Sequence, residues 1–122
     1  MIEEKFDFRQ NLRNRTKHFA LRIIRLYQAL PKVTESQILG KQLLRSGTSV
    51  AANYRAACRA RSNAEFYSKA SIVIEELDET LFWIEILQEC EMIKANLLRD
   101  LYLEGEEILK ILVTARKNSK KQ

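Results

Sequence analysis

Residues 62–90, SNAEFYSKASIVIEELDETLFWIEILQEC, decide the fold class. Phe66, Ala70, Val73, Leu77, Leu81, Ile84 and Leu87 recur in this stretch at heptad-like steps of three or four. That period places them on one face of an α-helix and is incompatible with the two-residue alternation of a strand. Ser62-Asn-Ala-Glu65 has the form of a capping box, so the helix starts at about residue 62 and runs to about 90. Phe82, Trp83 and Ile86, with Ile72 and Cys90, lie well around the cylinder from that stripe. They widen the apolar arc to roughly 200°, where a surface helix needs little more than 100°.

Working outward, Arg61-Ser62 is a short connection to a preceding helix over about 34–60. Its start is read from a second capping-box pattern, Thr34-Glu-Ser-Gln37, and its stripe from Ile38, Leu39, Leu43, Leu44, Val50, Ala51, Tyr54 and Cys58. Gly47 weakens this helix by about 1 kcal/mol relative to Ala. Ser46-Gly-Thr-Ser49 lacks the flanking residues of a nucleotide phosphate loop, and close helix packing explains it better. Pro31 ends a first helix over about 8–30, whose core stripe is Phe8, Leu12, Phe19, Ile23, Leu26 and Leu30, with Arg15 and Thr16 in the gap. Beyond residue 90, residues 91–95 read as a turn and Asn96 as the cap of a last helix over about 96–115. The stripe of that helix is Leu97, Leu101, Gly105, Ile108, Leu112 and Ala115. Residues 116–122 form a basic tail without apolar period, expected to fray.

Four amphipathic helices with short connections alternate in direction and bury their stripes together, so the expected architecture is an all-α, antiparallel up-and-down four-helix bundle. With 122 residues, three Gly and one Pro, the chain has length for one such domain, 1–115, and few turn-formers for a sheet protein. The N-terminus lacks a basic-then-apolar leader pattern, and no apolar run reaches the ~18 residues of a membrane span, so the expected location is cytoplasmic. Cys58 and Cys90, without a Cys-x-x-Cys spacing, are expected to be packed thiols.

The net charge of +5 is unevenly distributed. Residues 1–30 hold seven basic and three acidic side chains, 31–61 six and one, 62–107 three and twelve, and 108–122 five and none. Such segregation suits either a polyanion-binding surface or subunits that meet through opposite charge. Arg9, Arg13 and Lys17, at i, i+4 and i+8, share a helix face and suit a phosphate backbone. Arg55, Arg59 and Arg61 form a second cluster, which equally complements a helix C-terminal dipole. Arg116 and Lys117 of the tail complete the nucleic-acid-binding candidates. Ala20, Ile24 and Tyr27 make a second apolar row on the first helix. With Phe82, Trp83 and Ile86 they are candidates for a subunit interface, the alternative being a core thick enough to take both rows.

Catalytic, metal and cofactor readings find no support in the residues. His18 is the single histidine and is expected on the surface. The cluster Glu75, Glu76, Asp78 and Glu79 lacks the Glu-x-x-His pairs of di-metal bundles. Glu76 and Glu79 instead suit ion pairing with Arg45, Arg55 or Lys69, at about 3–5 kcal/mol for breaking such a pair if buried. The expected function is therefore non-enzymatic, without cofactor or small-molecule substrate: binding of RNA or DNA through phosphates, with a protein-interaction adaptor or scaffold, for instance for a polymerase, as the alternative.

Arg45-Ser-Gly-Thr-Ser-Val-Ala-Ala-Asn-Tyr-Arg55, Cys58-Arg-Ala-Arg-Ser62, Glu65-Phe66, Asp78-Glu-Thr80 and Leu81-Phe-Trp83 resemble the signature of the bacterial four-helix-bundle proteins that include the 23S rRNA intervening-sequence proteins. These are similar in turn to the accessory variability protein of diversity-generating retroelements. The resemblance is close over the second and third helices and limited to length and pattern in the other two. It implies a homopentameric ring of basic bundles, no cofactor, and for some relatives association with RNA, DNA or a reverse transcriptase. It also implies that Arg45, Ser49, Asn53 and Glu79 are structural polar residues where the second and third helices meet, and that Arg59 and Arg61 are surface contacts. Ala56 departs from the pattern, which has an acidic residue there, and makes that helix end more basic.

Overall fold

The computed structural model describes residues 2–120 and comprises four helices: α1 (Ile2–Ala29), α2 (Thr34–Ala57), α3 (Asn63–Glu89) and α4 (Ala95–Lys120). They form a four-helix bundle in which α2 packs on α1 and α3, α3 packs on α4, and α4 closes more lightly on α1. No helix is long and apolar enough to cross a membrane among the described residues.

The core is built by Leu12, Phe19, Ile23, Leu43, Val50, Tyr54, Val73, Leu77, Ile84, Leu87, Leu98, Ile108 and Leu112, all essentially without solvent contact. Gly47 sits where a Cβ would meet the branched Cβ of Ile23 at 3.1 Å and its methyl at 2.7 Å, so α1 and α2 approach too closely there for any side chain. Gly105 likewise leaves room for Leu81 and the Phe19 ring. Between α2 and α3 the buried hydroxyls of Ser46 and Thr80 lie 2.9 Å apart, and Thr80 also bonds the Glu76 carbonyl oxygen at 2.7 Å. Buried polarity in the α2–α3 seam is thus satisfied locally.

Several expectations are corrected. Phe8 is 46% exposed rather than core: it lies at the end of the bundle beside Phe66 of α3 and the last turns of α4, which cover it only in part. Ile38 (58%) and Leu97 (64%) are also exposed, because the buried rows run through Ser36, Gly40 and Leu43 in α2 and through Leu98, Leu101 and Gly105 in α4. Thr34 is not an N-cap. Val33 holds that position with extended backbone and no side-chain cap, while Gln37 donates from Nε2 to the Pro31 carbonyl and accepts from the Tyr27 hydroxyl. Ser36, from the same pattern, is buried and donates to Met92 Sδ at 3.2 Å, tying α2 to the α3–α4 connection. Ser62 does cap α3, accepting from the Glu65 amide at 3.0 Å, but Glu65 reaches back to the Arg61 amide and not to Ser62.

Asn96 lies inside α4, which begins at Ala95. α3 ends instead in a Schellman turn: the Met92 amide bonds the Leu87 carbonyl, the Glu91 amide bonds that of Gln88, and Glu91 takes the left-handed backbone (φ 56°) normally given to Gly. Residues 116–120 continue α4 and do not fray, because the cationic groups of Arg116 and Lys120 lie over the Tyr67 ring and Arg116 donates to Ser71 Oγ. Lys121 and Gln122 of the expected tail lie outside the described residues. Cys58 is half-buried, but Cys90 is exposed and not a packed thiol.

Candidate functional site

The up-and-down path brings four distant segments to one end of the bundle: the N-terminal turns of α1 and α3, and the C-terminal turns of α2 and α4. Arg9, Arg13 and Lys17 on α1 thereby meet Arg55 on α2, Arg59 and Arg61 in the α2–α3 connection, and Arg116, Lys117 and Lys120 at the end of α4. The negative dipole ends of α2 and α4 at this end are matched by the positive dipole ends of α1 and α3, so its charge is set by the side chains. Glu4, Asp7 and Glu65 are the carboxylates nearby in sequence.

Within this end, Arg13, Lys17 and Arg55 line one groove of about 350 Å³ between α1 and α2, floored by Ala51 and Ala52. Gln10 and Asn14 complete its wall, Gln10 Nε2 donating to Asn14 Oδ1 at 3.1 Å. Among the described residues no carboxylate lines the groove and none of its three cations enters an ion pair. The small side chains at 51 and 52 let a ligand lie close to α2 while the cations reach it from both helices. Gln10 and Asn14 were not singled out in the sequence, since single amides on a helix face carry no signal until a second helix faces them.

The other candidates divide. Arg9 borders a separate hollow with Tyr54 and Phe66. Arg59 and Arg61 are exposed. Arg116 is engaged with Tyr67 and Ser71, which gives it a structural role, while Lys117 is exposed. At the foot of the basic end, burial drives the Tyr54 phenol far above its ordinary range, with Cys58 beside it adding to the shift, and burial also raises the Cys58 thiol. Cys58 is therefore no poised thiolate.

The apolar candidates also separate. Ala20 is buried within the bundle and unavailable to a partner. Tyr27 packs across α2, where a Cβ at Gly40 would meet its ring at 2.9 Å, and Ile24 is half-buried. Phe82 is 49% exposed and packs edge-on against Trp83, with ring centroids 4.9 Å apart. Trp83 and Ile86 are half-buried, Trp83 lying against the core. Exposed Glu75, Asp78 and Glu85 occupy the same helix as Phe82. Tyr102 of α4 donates to Glu85 at 2.9 Å, and that bond, more than burial, pushes its phenol up to about 12.

Arg45 bridges α2 to α3, bonding Glu76 at 3.1 Å and Glu79, so it, rather than Arg55 or Lys69, is the partner of both. Arg45 is half exposed, so this is a surface contact of at most about 1 kcal/mol and not a buried pair. Ser49 and Asn53 pair with each other along α2, Asn53 Nδ2 donating to Ser49 Oγ at 2.7 Å. The stronger charged clamp escaped the sequence reading: Arg15 of α1 makes a two-pronged bond to Glu104 of α4, at 3.1 and 2.7 Å, and also pairs with Glu107. Residues 89 apart give no sequence signal of such a pairing.

Glu79 also accepts from Trp83 Nε1 at 3.0 Å, and this bond, ahead of Arg45, lowers its carboxyl pKa below the ordinary value. A depressed carboxylate stabilises the fold while ionised, and that contribution disappears as pH falls through its folded pKa. Trp83 is the single tryptophan, so its emission should report the event. Acid titration should show a fluorescence transition with a midpoint below 4.5 that is absent in Glu79→Gln, while far-UV circular dichroism stays constant. A midpoint at or above 4.5 would mean that the bond does not persist in solution.

No protein of curated function matches the chain. A crystal structure of a protein of unknown function from the S23 ribosomal protein family of Bacteroides thetaiotaomicron superimposes with a TM-score of 0.81 and 36% identity, covering 87% of this chain and 98% of that one. Residues 9–114, which span all four helices and most of the basic end, match the 23S rRNA-intervening sequence proteins. By that match and by its bundle, the chain belongs to the 23S rRNA-intervening sequence protein family.

Proposed function

We propose that this protein is a non-catalytic, self-associating bundle that binds RNA or DNA, largely through phosphate contacts. The observation that carries the reading is the groove in which Arg13, Lys17 and Arg55 converge with no carboxylate among its lining residues. Cations so arranged displace condensed counterions from a phosphate backbone, the main source of affinity that does not depend on sequence. The family's description refers to 23S rRNA intervening sequences, in keeping with a nucleic-acid partner. The acidic face of α3, where Phe82 stands exposed among carboxylates, favours a second surface for self-association or for a protein partner, as in an adaptor.

Fluorescence anisotropy of a structured RNA, a duplex DNA and a single strand with nuclease-treated protein tests the reading. Binding should weaken steeply with salt and show little sequence preference. An absence of binding to all three at low salt would leave the adaptor reading.

A further inference from the structure

A second, smaller hollow of about 140 Å³ opens beside the groove at the basic end, lined by Phe8, Arg9, Tyr54, Phe66, Asn118 and Ser119. Four helices contribute to it, so it exists only in the folded bundle. Tyr54 is 1% exposed and lines the hollow, with Cys58 beside its buried hydroxyl. Phe8 and Phe66 supply aromatic surface, and Phe8 is exposed at the mouth, where it also borders the adjoining hollow along α4. Arg9 supplies the positive charge, Asn118 and Ser119 offer amide and hydroxyl groups, and among the described residues no carboxylate lines the site.

Aromatic walls, a neutral polar edge and one guanidinium suit a flat heteroaromatic ring attached to an anion. They do not suit a cation or a purely aliphatic ligand. The hollow is also far below the several hundred Å³ of a typical drug-sized pocket. A base stacked within a duplex has no free face to lay against these rings, whereas an unstacked base does. We propose that this hollow receives one unstacked nucleobase of a single-stranded nucleic acid, its ring against Phe8 and Phe66 and its phosphate at Arg9. The proposal rests on the nucleic-acid reading above and deepens it: the groove of Arg13, Lys17 and Arg55 holds backbone, and the hollow selects strands with a free base.

The test uses three labelled probes of equal length: a single strand, the same strand with abasic sugars in place of its nucleotides, and a blunt duplex. Stacking on an aromatic side chain is worth enough that the single strand should bind about tenfold more tightly than its abasic counterpart. Phe8→Ala, at an exposed position that leaves the core intact, should remove that tenfold advantage and leave duplex binding unchanged.

Equal binding of the normal and abasic strands, with a salt-dependent affinity for both, would overturn the hollow while leaving the phosphate reading intact. A Phe8→Ala variant that loses all three probes equally would also overturn it, since Phe8 would then act on backbone binding as a whole. Failure of every probe to bind at low salt would overturn both readings.

Discussion

Phe19→Ala should remove about 3–5 kcal/mol of folding stability, as truncation of a fully buried Phe leaves both lost burial and a cavity. Phe19 has no solvent exposure and reaches from α1 into the notch that Gly105 leaves in α4, close to Leu81 of α3. Three helices therefore rely on one ring for contact. The seam between α1 and α4 is the lightest of the four adjacent pairings, so it depends strongly on the Phe19 contact. The surrounding groups are apolar, and a water in the cavity would lack partners. Urea unfolding followed by circular dichroism checks the expectation, with Phe19→Leu as a milder control. A loss under 1 kcal/mol for the alanine variant would mean that α1 and α4 collapse together and that Gly105 does not hold them in register.

Reversing the groove, with Arg13, Lys17 and Arg55 all changed to Glu, should abolish most nucleic-acid affinity without unfolding the protein. Each phosphate contact contributes about −0.9 to the slope of log affinity against log salt for a duplex. Three contacts then give about −2.7, so a fourfold rise in salt should weaken the wild-type protein roughly 40-fold more than the variant. The three side chains have no ion-pair partners among the described residues, and Lys17 and Arg55 are exposed, so the thermal midpoint should change little. An unaltered salt slope in a folded variant would exclude this groove as the phosphate contact and shift attention to Arg59, Arg61 and Lys117.

Comparison of particular residues shows how far the chain could be read. The stripe from Ala70 to Leu87 was legible because it lies mid-bundle, where period alone decides which side is covered. Phe8 keeps the period of its stripe but is only partly covered at the bundle's end, whereas Ile38 and Leu97 lie off the buried rows Ser36-Gly40-Leu43 and Leu98-Leu101-Gly105. Arg116 read as tail because its support, the Tyr67 ring and Ser71, lies 45 or more residues away in the chain. The row Arg9, Arg13 and Lys17 was visible as helical spacing, yet Arg55, Gln10 and Asn14 joined it only when α2 ran back alongside α1.

The sequence by itself determined the all-α class, the number of helices, the family signature and the segregation of charge, since each depends on residues near one another in the chain or on composition. Only the tertiary structure decided that the basic segments of 1–30, 31–61 and 108–122 meet at one end, that Arg15 clamps Glu104, and that Phe8, Tyr54 and Phe66 meet around one hollow. The physical reason is common to all three. Antiparallel packing sets residues side by side according to helix length and direction, and those contacts span separations that no local pattern encodes.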